Sequence, residues 1–187
     1  MRDTEKRRFV LPDVSHVGVV TNDLDKTMRE LEDLYGLKPF LVMEPGYVNT
    51  YLRGKPADFK LKSAFYQSGQ VIFEVISVLE GDTIYGEWLR EKGEGLHHLG
   101  YDIENIEEWI DHYKGKGIGV LQRGERPGVK WAYLETTTYT GMIVELIERT
   151  EQGKLIKERE RTTNNDKGQD EGVGLGSPPK DRFTRGG

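Results

Sequence analysis

Length, composition and charge limit what this chain can be. The 187 residues, 35% of them apolar, suffice for one sizeable hydrophobic core. The absence of cysteine excludes disulfides, thiolate metal sites and cysteine nucleophiles, and the net charge of -5 argues against a nucleic-acid surface. Because the charged N-terminus leads into no long apolar run, we expect a cytoplasmic protein without a signal peptide or membrane contact.

The predicted elements begin with a strand at about 14–20. A helix follows, marked by apolar residues at helical spacing, which Asn22 or Asp23 would cap and Gly36 would end. Runs of β-prone residues predict further strands near 39–43, 47–53, 60–67 and 70–77.

After a short helix predicted at about 82–92, the same plan repeats. A strand at 96–102 is followed by a helix that carries apolar residues from Ile106 to Tyr113 on one face. Strands follow near 118–122, 130–135 and 141–147. A unit used twice predicts an α+β fold of two paired βαβββ modules, at about 14–77 and 95–147, in one domain at 12–148.

From residue 149 onward the chain becomes charged and rich in glycine. This stretch has too few apolar groups to offset the entropy lost on ordering. We therefore expect residues 149–187 to be largely disordered, with the disorder at 163–187 and a charged helix as the alternative at 150–161.

Four residues stand at matching places in the two units. His16 and His98 lie in the first strand of each unit, and Glu74 and Glu145 interrupt the apolar strand that closes each unit. Taken alone, a strand histidine is usually a core or surface residue, and a strand glutamate often lies at a solvent-facing edge. An unpartnered buried carboxylate is costly, however, and two imidazoles with two carboxylates suit a divalent ion. The coincidence predicts one shared metal site, with the metal being Co, Mn, Zn, Ni or Fe.

Strand alternation selects between the two adjacent histidines of the second unit. It places His98 on one face with Gly100 and predicts that His97 points to the opposite side, as a structural residue or a neighbour of the ligands rather than a ligand. Gly18 and Gly100 each lie near a predicted metal-binding histidine, and their lack of a side chain would leave room above the sheet for a metal or a bound molecule.

These segments resemble the vicinal oxygen chelate superfamily, which includes glyoxalase I, methylmalonyl-CoA epimerase, extradiol dioxygenases and fosfomycin-resistance proteins. The resemblance covers residues 12–148 and is strongest to the epimerases, with the Gly-Glu-Gly-Leu-His-His run at 93–98 as its most specific motif. It implies a curved sheet around a metal-containing cavity, a homodimer, and a small-molecule substrate such as an acyl-CoA. The implied metal ligands are His16, Glu74, His98 and Glu145.

The chain departs from the epimerases in two places. It carries an insertion around 51–58, and it lacks a carboxylate from Lys60 to Phe65, where some epimerases have a catalytic base.

The leading functional hypothesis is a metal-dependent epimerase or isomerase that enolises a chelating substrate by α-proton abstraction. Glu145 and Glu74 are the candidate bases, and Glu44 is a third on a loop. A glyoxalase I-like lactoylglutathione lyase would use the same ligands, whereas a non-catalytic, resistance-type binding module would need no metal. An extradiol dioxygenase fits less well, because that chemistry uses two histidines and one carboxylate with open positions.

Overall fold

The computed structural model describes residues 9–155. Their helices and strands, in chain order, are β1 (Val14–Val20), α1 (Leu24–Tyr35), β2 (Leu41–Met43), β3 (Val48–Leu52), β4 (Lys55–Pro56), β5 (Phe59–Ser68), β6 (Val71–Gly81), α2 (Ile84–Lys92), β7 (Gly95–Asp102), α3 (Ile106–Lys114), β8 (Val120–Arg126), β9 (Val129–Leu134), α4 (Thr137–Thr140) and β10 (Ile143–Arg149). Residues 151–155 are also helical. The disorder expected beyond residue 162 lies outside the described residues.

All ten strands form one curved sheet in the order β2-β5-β6-β1-β7-β10-β9-β8-β3-β4. The first strands of the two units, β1 and β7, are antiparallel neighbours at its centre. Each runs parallel to the closing strand of its own unit, β6 or β10. The predicted α+β fold of two repeated units around a cavity is confirmed. No described helix has the length and apolar character needed to span a bilayer.

The insertion around 51–58 forms a hairpin that joins the other unit. Arg53 and Gly54 have φ values of 49° and 79°, as a two-residue type I′ turn requires. Strand β3 pairs with β8, where Tyr51 lies opposite Arg123. The first unit thus extends the edge of the second, whereas the sequence had predicted this strand simply within the first unit.

Capping residues determine where the helices begin and end. The Asp23 side chain accepts a hydrogen bond from Lys26 N at 2.9 Å, and Gly36 ends α1 with a φ of 67°. Thr83 caps α2 by accepting a hydrogen bond from Gly86 N at 3.0 Å. The Asp23 cap and the Gly36 end of α1 agree with the sequence prediction.

The Gly-Glu-Gly segment before β7 ties the two units together. Glu94 Oε1 accepts hydrogen bonds from Asn22 N at 2.7 Å and from Thr21 Oγ1 at 3.1 Å. These bonds hold the end of β1 against the beginning of β7, the two strands that carry the histidines.

Apolar side chains pack on both faces of the sheet. On the outer face, Leu24 of α1 packs with Val75, and Trp109 of α3 packs with Leu146. The inner face carries a third cluster, which includes Tyr85 of α2 together with Trp131, Tyr133 and Ile147. The inner face surrounds the cleft described next.

Candidate metal centre

The four predicted ligands come from the four central strands of the sheet, in the order β6-β1-β7-β10. His16, His98 and Glu145 are buried, and the Glu74 side chain is 15% exposed. None of the four strands is an edge strand, so neither glutamate is the solvent-facing edge residue considered above. Alternation along β10 places Glu145 on the inner face with Ile143 and Ile147.

The side chains of all four converge. His16 Nε2 lies 3.0 Å from His98 Nε2, 3.2 Å from Glu74 Oε2 and 3.0 Å from Glu145 Oε2. Glu145 Oε2 also lies 3.4 Å from His98 Nε2. Donor atoms of His16, Glu74 and His98 all lie within 4.8 Å of one another. The internal repeat therefore brings the predicted ligands to one point.

This arrangement fits a divalent cation better than a hydrogen-bond network. The Nε2 atom of His16 carries at most one proton, so it cannot satisfy three polar atoms at 3.0–3.2 Å. Buried Glu145 Oε2 forms no hydrogen bond of regular geometry. Donor atoms that are each about 2.1 Å from a divalent ion lie about 3.0–3.4 Å apart at octahedral or tetrahedral angles, which matches these contacts.

Two glycines make room for the imidazole rings. Gly18 lies opposite His98, and Gly100 lies opposite His16, in the β1–β7 pair. A Cβ on Gly18 would lie 1.9 Å from His98 Cε1, and one on Gly100 would lie 2.2 Å from His16 Cε1. Each glycine thus accommodates the histidine of the other unit.

The predicted orientation of His97 is wrong because β7 contains a bulge. Gly18 pairs with His98, but the next residue of β1, Val19, pairs with Leu96, so two residues of β7 oppose one. The bulge breaks the alternation, and His97 Nδ1 lies 2.9 Å from His98 Nδ1. The Nε2 atom of His98 faces the cluster, so its Nδ1–H donates to His97 Nδ1.

Burial and neighbouring charges set the protonation of the cluster. Burial opposes protonation of His16, but the adjacent carboxylates of Glu145 and Glu74 outweigh it and raise its pKa to about 9. Burial also opposes ionisation of Glu74, yet the hydrogen bond and charge of His16 lower that pKa, with a smaller contribution from Arg126. Burial holds the pKa of His98 well below its usual value and lowers that of His97 to about 4. Without a metal, His16 is thus the protonated histidine of the cluster.

His16, Glu74 and Glu145 line the base of a cleft that is partly open to solvent, and the side chain of His98 is fully buried beside them. Tyr85 and Tyr133 lie on the wall of the cleft, with their hydroxyl oxygens 2.6 Å apart. Burial, together with the charges of Glu145 and Glu74, raises both tyrosine pKa values. Both therefore stay protonated, and because one proton bridges the two oxygens, the other can be donated to a ligand.

The sequence did not identify the residues that form the cleft wall. Alternation in β9 could have placed Trp131 and Tyr133 on the inner face, but nothing local predicts that Tyr47 and Arg126 face the same space. Glu44, the candidate base on a loop, is exposed and is not part of the cleft wall.

Family and structural comparisons agree with this geometry. Residues 15–134 match the model of the Glyoxalase/Bleomycin resistance protein/Dioxygenase superfamily. The match spans well over half of the chain, and the chain belongs to this superfamily. The resemblance inferred from the sequence is confirmed.

The chain is also similar to one curated protein and to solved structures. The chain is 26% identical over 138 residues to the uncharacterized protein YqjC of Bacillus subtilis (strain 168), covering 72% of this chain and 91% of that protein. A methylmalonyl-CoA epimerase variant of Streptomyces coelicolor, in complex with 2-nitronate-propionyl-CoA, is similar with a TM-score of 0.55 and 22% identity, over 76% of this chain and 97% of that one. The methylmalonyl-CoA epimerase of Mycobacterium tuberculosis gives a TM-score of 0.54 at 14% identity, over 79% and 97%. These two likenesses establish the fold.

Proposed function

We propose that this protein is a divalent-metal-dependent epimerase or isomerase that removes an α-proton from a chelating substrate. The observation that carries the proposal is the convergence of two histidines and two glutamates, of which His16, Glu74 and Glu145 line one cleft. A divalent ion held by His16, Glu74, His98 and Glu145 would supply a Lewis acid that polarises two neighbouring substrate oxygens and acidifies the C–H bond between them.

The two glutamates are the proposed proton carriers. Glu74 on β6 and Glu145 on β10 flank the central β1–β7 pair, so they approach a substrate in the cleft from two sides. Epimerisation requires a proton to leave one face of a carbon and return to the other. One glutamate Oε accepts the α-proton, and the opposite glutamate takes up a proton from solvent at the open side of the cleft and delivers it to the other face of the carbon. The first proton then returns to solvent, so both carboxylates end the cycle ionised.

The cleft wall supports this chemistry. The free hydroxyl proton of the Tyr85–Tyr133 pair can be donated to a substrate oxygen that gains negative charge during proton removal. The aromatic rings of Tyr47, Phe65 and Trp131 line the same space and give it an apolar wall.

We infer that the substrate is an acyl-CoA or a similarly activated acid. The support comes from the fold, because a similar structure was solved with 2-nitronate-propionyl-CoA in complex. The structure itself adds a cleft with two carboxylates and a hydroxyl donor, which are the groups that enolisation requires.

The direct test is deuterium uptake at the α-carbon of methylmalonyl-CoA in heavy water, followed by NMR with Co(II) or Mn(II) and the full chain. We expect uptake by the unaltered protein and a loss of about 100-fold or more in Glu145→Gln, because general-base catalysis contributes that much. Glu44→Gln is the matched control, since Glu44 is an exposed carboxylate outside the cleft wall. Absence of uptake by metal-loaded protein would contradict the proposal.

A glyoxalase I-like lactoylglutathione lyase is the second candidate, because it would use the same four-ligand set. Its test is isomerisation of the methylglyoxal–glutathione adduct by the same metal-loaded protein. A non-catalytic binding module would show neither activity, and such binders need no metal.

A further inference from the structure

The cleft wall carries a cation that the proposed chemistry does not use. Two arginines, Arg126 and Arg149, line the cleft. Arg149 Nε donates to Asp102 Oδ1 at 2.7 Å, so its charge is neutralised within the fold. Arg126 is half-buried, and within residues 9–155 no carboxylate lies within ion-pair distance of it. A partly desolvated guanidinium without an anion is costly unless a ligand pairs with it.

The charge balance of the cleft points the same way. Glu74 and Glu145 contribute two formal negative charges, and the bound divalent ion of the proposed function would balance both. The charge of Arg126 then remains uncompensated, so the loaded cleft attracts a singly charged anionic group.

Arg126 is also held in place. It is the last residue of β8 and pairs with Val129 across the turn formed by Pro127 and Gly128. Gly128 has a φ of 77°, and its carbonyl oxygen accepts a hydrogen bond from Thr150 N at 3.0 Å. The turn is thus fixed from outside, which holds the backbone from which the Arg126 side chain reaches the cleft.

We propose that Arg126 is a specificity-determining residue whose guanidinium binds a carboxylate of the substrate. This inference rests on the proposed function. It narrows the substrate to an activated acid whose acidic carbon also bears a free carboxylate. Neutral chelating substrates, such as dicarbonyl adducts without that carboxylate, lack the group that Arg126 pairs with. A guanidinium suits this task because its paired N–H groups match the two carboxylate oxygens.

The binding test uses malonate as the probe and isothermal calorimetry on the full chain, both Zn(II)-loaded and metal-free. Arg126→Gln is compared with Arg123→Gln, which removes the same charge from the same strand but from an arginine that pairs with Glu107 outside the cleft. We expect the Kd for malonate to rise about tenfold or more in Arg126→Gln and by less than about twofold in Arg123→Gln. Equal affinity for malonate in the two variants would overturn the proposal. Binding of malonate through the metal alone would give this result.

An exchange assay separates this inference from the proposed function. The assay compares methylmalonyl-CoA with the methyl ester of its free carboxylate. If Arg126→Gln raises KM for the acid but leaves deuterium exchange of the ester unchanged, the proposed function and the role of Arg126 are both supported. If Arg126→Gln lowers the rate of deuterium exchange equally for the acid and the ester, the role of Arg126 is overturned while the proposed function survives. If the unaltered protein catalyses no exchange yet binds malonate through Arg126, the epimerase proposal fails and the anion-binding role is retained.

Discussion

Among single residues, His16 has the most contacts with the rest of the cluster. It touches both glutamates and His98 through one nitrogen, and in the absence of metal it carries the proton that compensates the carboxylates. A divalent ion at this point would displace that proton, so metal binding and the protonation of His16 exclude each other.

The metal-free protein should therefore lose stability as pH rises through a defined window. The pKa of His16 is 6.5 in the unfolded chain and about 9 in the fold, so its stabilising effect is complete below pH 6.5 and is lost as pH rises through 9. We expect the free energy of unfolding, measured by urea titration of the metal-free chain, to fall across this range. His16→Gln should remove this slope, and His112→Gln, on helix α3, should keep it. A slope that survives in His16→Gln would contradict the assignment.

His97 should act on metal affinity without binding the metal. His97→Phe keeps an aromatic ring beside Tyr85 and Trp88 but removes the acceptor for His98 Nδ1–H. We expect the dissociation constant for Zn(II), measured by competition with a chelator, to rise about 10- to 100-fold. His97→Asn, which retains an acceptor oxygen, should recover part of the affinity, and His112→Phe should change nothing. Unaltered affinity in His97→Phe would show that His97 only fills space.

The metal-site residues illustrate what a sequence can and cannot reveal at this scale. Two histidines and two glutamates were predictable because each recurs at the same place in a repeated unit. The orientation of His97 was not, because a bulge depends on how β7 pairs with β1 rather than on the residues of β7 itself. The contribution of Arg126 was hidden for a similar reason, since the cleft wall comes from strands far apart in the chain.

At the scale of elements, the close contact of β1 with β7 controls the cluster. Gly18→Ala would place a methyl group 1.9 Å from His98 Cε1, so the ring or the strand must move. We expect a loss of about 1–3 kcal/mol in the free energy of unfolding and at least a tenfold weaker metal site. Gly46→Ala is the matched control, because its Cβ would meet nothing within 4 Å. Normal metal affinity in Gly18→Ala would contradict this packing.

The helix that follows β10 should stabilise the β8–β9 turn. A Cβ on Gly153 would lie 2.3 Å from the carbonyl oxygen of Gly128, a backbone atom that cannot rotate away. Alanine has a higher helix propensity than glycine, but we expect Gly153→Ala to lower the melting temperature because the clash outweighs this gain. Gly119→Ala, whose Cβ would have only an ordinary contact at 3.7 Å, serves as the control. A higher melting temperature in Gly153→Ala would refute the contact.

Local sequence patterns predicted most strands and helices, but not which strands pair in the sheet. Caps, spacing and turns located α1, α2 and α3, because these signals lie within a few residues. The sequence revealed the insertion that forms the β3–β4 hairpin. The pairing of β3 with β8 is a long-range contact that no local pattern encodes.

At the scale of the whole molecule, duplication explains both the fold and the site. Two copies of one unit meet along β1 and β7, and each copy contributes one histidine and one glutamate to the inner face. The same arrangement places the carboxylates on two sides of the cleft, as epimerisation requires. Arg126 of the second unit lines the same cleft, where we propose that it binds the carboxylate of the substrate.

The most direct test of the central claim is calorimetric titration of the metal-free full chain with Co(II). We predict one ion bound per chain, with affinity lost in both His16→Ala and His98→Ala, because each unit supplies half of the ligands. Folding of both variants is checked by circular dichroism. Binding that persists in either folded variant, or a folded chain that binds no divalent ion, would contradict a shared metal centre.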